Sequence, residues 1–140
     1  MICVVDASVA AKWFLREALH REAFRLLADD AVRLAPDWIV QEVAQVAFKK
    51  WRDGEIGPDQ AKTMVRVLPD FMAQLYPSLD LVDRALAIAM TLRHPMYDCL
   101  YLACAEIVGG TLVTADARLC RAVAETPFAP LVRPLSDFPP

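Results

Sequence analysis

No stretch of this 140-residue chain approaches the roughly 18 consecutive apolar residues of a membrane-spanning helix, so a transmembrane role is not expected. The N-terminus lacks a basic leader and a small-residue cleavage site, and Met1-Ile2-Cys3-Val4-Val5 reads as a first core strand. Cysteine is sparse. Cys3, Cys99, Cys104 and Cys120 form no CxxC, and His20 and His94 stand far from zinc-ligand spacing. Buried reduced thiols in a cytoplasmic protein are the expectation instead. With no linker, repeat or low-complexity tract, residues 1–140 read as a single domain. Excess positive charge is missing too. The net charge of −3 argues against nucleic-acid binding by bulk attraction, although four acids neutralised by metal would leave the rest at about +1.

What is present is apolar surface. The hydrophobic fraction is 56% and mean hydropathy +0.31, enough for a sizeable core and a hint that some apolar surface meets a partner. Residues 2–6 and 32–35 read as buried strands, the second stopped by Pro36. Ser8 is expected to open a short helix from Val9 to about Leu15, and Asp37 to cap a helix from Trp38 to Arg52. Further helices are expected over 19–29, 59–68, 79–92, 97–108 and 117–124. Strands are expected over 112–114 and 131–135, and 71–76 is either a strand or an irregular link. Strands alternating with helices indicate an α/β protein with a parallel sheet covered on both faces.

Four carboxylates stand where a lone surface charge is not expected. Asp6 ends the first apolar run, Asp98 interrupts a mostly apolar helix, Asp116 follows Leu112-Val113-Thr114-Ala115, and Glu42 lies beside an apolar helical stripe. Charge beside buried surface is costly unless paired, hydrogen-bonded or metal-bound, and no basic residue recurs nearby to pair all four. In open α/β sheets, sites form beyond the carboxyl ends of strands, which all four acids can reach. Oxygen-only donors suggest Mg²⁺ or Mn²⁺, and hence phosphodiester chemistry. Bland roles compete: a helix-dipole charge for Asp98, a cap for Asp116, a solvated helix face for Glu42. Glu106 shares a helix with Asp98 but lies two turns away, too far for one site. Trp13, Trp38 and Trp51 could stack bases but at helical spacing serve as well in a core, and they stay unassigned.

Val4-Val5-Asp6-Ala7-Ser8, Glu42 within Ala35 to Val43, Tyr97-Asp98-Cys99-Leu100-Tyr101, and Val113-Thr114-Ala115-Asp116-Ala117-Arg118 together resemble a PIN domain, more narrowly the VapC toxins of VapBC toxin–antitoxin pairs. The resemblance implies a three-layer α/β/α domain with a five-stranded parallel sheet and a metal-dependent endoribonuclease. It implies Asp6, Glu42, Asp98 and Asp116 as Mg²⁺ or Mn²⁺ ligands, with Ser8 and Thr114 assisting by hydrogen bonds. It also implies a homodimer, an RNA substrate and a cognate VapB-like antitoxin. Arg16, Lys49, Lys50 and Arg118 are candidates for guiding the RNA backbone, although solvated helix faces explain each equally well.

Rival readings are a catalytically silent PIN-like module that binds RNA or a partner, and phospho-aspartate enzymes. One kind of the latter wants Asp-x-Asp after strand one, where this chain has Asp6-Ala7-Ser8; a receiver domain wants a late lysine, and none follows Lys62.

Overall fold

The computed structural model describes all 140 residues. Five strands, β1 (Ile2–Val5), β2 (Val32–Pro36), β3 (Gln74–Tyr76), β4 (Thr111–Thr114) and β5 (Val132–Pro134), form one parallel sheet in the order β3-β2-β1-β4-β5. Seven helices flank it: α1 (Ala7–Ala10), α2 (His20–Ala28), α3 (Ile39–Arg52), α4 (Pro58–Val67), α5 (Ser78–Leu92), α6 (Met96–Val108) and α7 (Ala117–Val123). The chain moves outward from β1 to β3, then returns to the other side of β1 for β4 and β5. Right-handed crossovers therefore put the two sets of helices on opposite faces, the three-layer arrangement expected.

β1 lies at the centre, with Cys3, Val4 and Val5 fully buried. α6 is the most apolar helix, and its residues Cys99 to Ala105 are all buried, as its nearly uninterrupted apolar sequence requires. Among the 40 buried residues the hydrophilic side chains are only Asp6 and Thr114.

Local readings fail where a distant group intervenes. Asp6, rather than Ser8, caps α1, its side chain accepting from Val9 N, and α1 spans only Ala7–Ala10 before a 3-10 turn over Ala11–Trp13. Asp37 does not cap α3. Its Oδ1 accepts from the backbone N and Oγ of Ser78, so it caps α5 from across the sheet edge, while Trp38 heads α3 without a side-chain cap. β2 stops at Pro36 as expected, with the proline itself its last residue, paired with Tyr76 of the edge strand β3.

Candidate active site

The order of strands reverses between β1 and β4, and in such sheets ligands bind beyond the carboxyl ends of the strands at that point. Val5 pairs with Val113 there, which sets Asp6 beside the Thr114–Asp116 turn. Asp6 is buried and accepts three hydrogen bonds: Ser8 Oγ (2.5 Å) and Val9 N (3.2 Å) on Oδ1, and Thr114 Oγ1 on Oδ2. Both hydroxyls are oriented from behind. Ala115 N donates to Ser8 Oγ and Asp116 N to Thr114 Oγ1, each at 3.0 Å, leaving each hydroxyl proton for Asp6.

Glu42, in the first turn of α3, is half-buried. Its Oε1 accepts from Tyr101 Oη at 2.8 Å, reaching across to α6. Burial pushes Glu42 up to about 7, with the charges of Asp6 and Asp98 adding to the rise. Burial likewise raises Asp6 to about 6 against its hydrogen bonds, and Asp98 adds to that. The structure thus brings Asp6, Glu42 and Asp98 within electrostatic reach of one another. Burial and the Glu42 charge hold the Tyr101 phenol far above its usual value, so it stays a donor.

Asp98, in the first turn of α6, accepts from His94 Nε2 on Oδ2 at 2.7 Å. Arg93 takes the left-handed conformation (φ 51°) at the end of α5, and this turn sets His94 one helical turn ahead of Asp98. Asp116 caps α7, its Oδ1 accepting from the backbone N of Arg118 (2.8 Å) and Leu119 (3.4 Å). Its backbone N, not its carboxylate, reaches Asp6 through the Thr114 hydroxyl, so this acid is linked to the others only through the chain. Glu42, Asp98 and Asp116 each have one oxygen held by the protein and one without a protein partner.

These are hard oxygen donors with no lysine or arginine among them, the donor set that suits Mg²⁺ or Mn²⁺. They do not form a closed cage, since no three acids, histidines or cysteines lie close enough to enclose an ion.

His94 and Tyr101 were not singled out in the sequence. Each had a signal: His94 lies four residues before Asp98, and a buried tyrosine hydroxyl needs an acceptor. Of the basic candidates, Arg118 sits in the first turn of α7 beside Asp116. Arg16 and Lys50 line a hollow that none of the four acids lines, and Lys50 pairs with Glu55 at 3.3 Å. Lys49 is exposed on α3. Glu106 is structural, paired with Arg84 at 2.9 and 3.0 Å. Trp13 is core, its Nε1 donating to Ala23 O.

Fold and site together define a parallel α/β protein with three carboxylates gathered at its topological switch point. The PIN domain family matches residues 3–125, and the chain belongs to that family. It is 31% identical over 121 residues to Ribonuclease VapC3 of Pyrobaculum aerophilum, covering 85% of this chain and 92% of the relative. It is 29% identical over 122 residues to Ribonuclease VapC1 of Mycobacterium tuberculosis, covering 86% and 90%. A toxin–antitoxin complex from Klebsiella pneumoniae shares the fold at TM-score 0.67 and 20% identity, with 94% of this chain and 95% of that one covered. VapBC2 of Rickettsia felis, solved with a promoter DNA fragment, does so at TM-score 0.67 and 11% identity, covering 96% and 98%.

Proposed function

We infer that this chain is an endoribonuclease, the toxin of a VapBC-type pair, which cleaves RNA phosphodiesters with Mg²⁺ or Mn²⁺ held by Asp6, Glu42, Asp98 and Asp116. The observation that carries the reading is the gathering of Asp6, Glu42 and Asp98 at the switch point, two of them held by buried hydroxyls, with no lysine or arginine among them. Asp6 and Glu42 are pushed toward neutrality, a state that a divalent ion would reverse. When bound, the metal supplies positive charge to the scissile phosphate and lowers the pKa of water.

The protein's own part is positional. Ser8 and Thr114 hold both oxygens of Asp6, Tyr101 turns Glu42 and His94 turns Asp98, so that a second oxygen of Glu42 and of Asp98 stays available. No side chain acts as nucleophile. The thiols are poor candidates, since burial pushes Cys99 to about 11 and Cys104 to about 12. Arg118 is the basic residue best placed to meet the RNA backbone.

VapC and VapBC relatives support a cognate VapB-like antitoxin, and exposed large apolar residues such as Leu79, Leu86, Met90, Phe48 and Trp51 support association, including a homodimer. No helix is long and apolar enough to cross a membrane, and a cytoplasmic location fits the reduced thiols.

The test is cleavage of single-stranded RNA by purified protein during Mn²⁺ and Mg²⁺ titration. Metal-dependent cleavage by wild type, lost in Asp98→Asn, is expected. RNA binding without cleavage at saturating metal would favour the silent-module reading.

A further inference from the structure

Trp38 and Tyr97 face each other between the heads of α3 and α6, with ring centroids 4.7 Å apart and planes within 14°. Trp38 is partly buried and Tyr97 is 55% exposed, so one tyrosine face is backed by the indole while much of the ring meets solvent. The position is set by two helices. Trp38 and Glu42 are four residues apart at the head of α3, and Tyr97 and Tyr101 four apart on α6, so each pair shares a helix face. The Trp38–Tyr97 stack is one rung between the helices and the Glu42–Tyr101 hydrogen bond is the next. Four residues of helix rise by about 6 Å, comparable to the spacing of neighbouring nucleotides in an extended strand. Tyr97 also directly precedes Asp98. The indole Nε1 of Trp38 is buried without a partner in the protein, so ring stacking, not a hydrogen bond, orients this side chain.

We propose that Tyr97, backed by Trp38, is a stacking platform for a nucleobase of single-stranded RNA adjacent to the scissile phosphate. The occupant follows from the surroundings. An exposed flat ring one helical turn from a phosphodiester-cleaving acid cluster meets the base of the nucleotide whose phosphate lies at the acids. Every base has a π-face, so the platform is sequence-tolerant and selects unpaired RNA over duplex. Tyr97 is thus a substrate-positioning residue. The proposal rests on the ribonuclease reading, and its test separates the two.

The measurement is binding of a 15-nucleotide single-stranded RNA of mixed sequence, and of an abasic strand of the same length, with Ca²⁺ replacing Mg²⁺; it uses wild type, Tyr97→Leu, Tyr97→Phe and Phe24→Leu. Steady-state cleavage in Mn²⁺ is followed in parallel. Tyr97→Leu is expected to weaken binding of the base-bearing strand about tenfold and raise KM with little change in kcat. Tyr97→Phe should restore affinity, since a ring remains, and the abasic strand should bind wild type and Tyr97→Leu alike. Phe24, an exposed aromatic on α2 outside the site, should be silent on substitution. Wild-type affinity for RNA in Tyr97→Leu overturns the platform and leaves the ring to a protein partner. An equal loss on the abasic strand, or no wild-type preference for bases, overturns it as well. Wild type that binds in this pattern without cleaving in Mn²⁺ sinks the ribonuclease reading instead and leaves the platform standing.

Discussion

Burial raises the proton affinity of Asp6 although its three hydrogen bonds oppose the rise. Its folded-state pKa of about 6, and that of Glu42 of about 7, lie above the values of free carboxyls. Between roughly pH 4 and 7 the folded chain therefore binds more protons at these positions than the unfolded chain. Their contribution to stability falls as pH rises through that window. The metal-free protein should melt higher near pH 5 than at pH 8. Millimolar Mn²⁺ should raise the midpoint at pH 8 and lose its effect toward pH 4, where protons compete for the carboxylates. Scanning calorimetry reads both trends; a midpoint indifferent to pH and to Mn²⁺ would discard the coupled cluster. Substitution separates ligand from cap. Asn caps a helix as well as Asp does, so Asp116→Asn and Asp98→Asn should fold with equal or higher metal-free stability and lose RNA cleavage by several orders of magnitude. Asp37→Asn, which keeps an acceptor for Ser78, should cleave like wild type.

At the scale of elements, the passage from α6 to β4 governs how the central strand sits. Gly109 ends α6 at φ 64°, a left-handed cap that favours glycine. Gly110 has a different constraint. A Cβ there would stand 2.8 Å from Ile2 Cγ2 and 2.9 Å from Ile2 O, and a backbone atom of β1 cannot turn aside as a side chain can. Gly109→Ala should cost about 1 kcal/mol through conformation alone. Gly110→Ala should cost more, on the order of 1–3 kcal/mol of overpacking, and should weaken Mn²⁺ binding because β1 carries Asp6. Urea unfolding of both variants, with Mn²⁺ titration, checks the order. Equal stability loss with unchanged Mn²⁺ affinity would mean that β1 absorbs the clash without moving the site.

For the whole molecule, the exposed apolar residues of α5, namely Leu79, Val82, Leu86 and Met90, recur on one helical face. On α3, Phe48 and Trp51 are about half exposed. A monomer rarely leaves this much apolar surface to water. Light scattering at tens of micromolar should find a dimer, and co-expression with the antitoxin should relieve host toxicity that Asp98→Asn also relieves. A monodisperse monomer harmless to its host with all four acids intact would contradict the toxin reading.

Most elements were legible in the sequence because their signals are local. Apolar runs, helical spacing, Pro58, Pro95 and Gly109 act on their own neighbours, and the helix boundaries fall within a residue or two of expectation outside the α1 region. β3 was left open between strand and link because a three-residue edge strand with half-buried side chains carries little pattern. The acids were visible as charges in apolar context, but their partners were not. Thr114 and Asp6 are 108 positions apart, Tyr101 and Glu42 are 59, and Ser78 and Asp37 are 41. Local rules handed Asp37 a cap on the wrong helix and handed Ser8 the cap that Asp6 makes. By itself, the sequence determined the order of strands and helices and which four carboxylates needed a reason to be there. Only the tertiary structure decided which carboxylate oxygens are held, that Asp6, Glu42 and Asp98 share one field, and that Tyr97 leans on Trp38. Hydrogen bonds and Coulomb forces act over a few ångströms in space, and chain separation does not encode that distance.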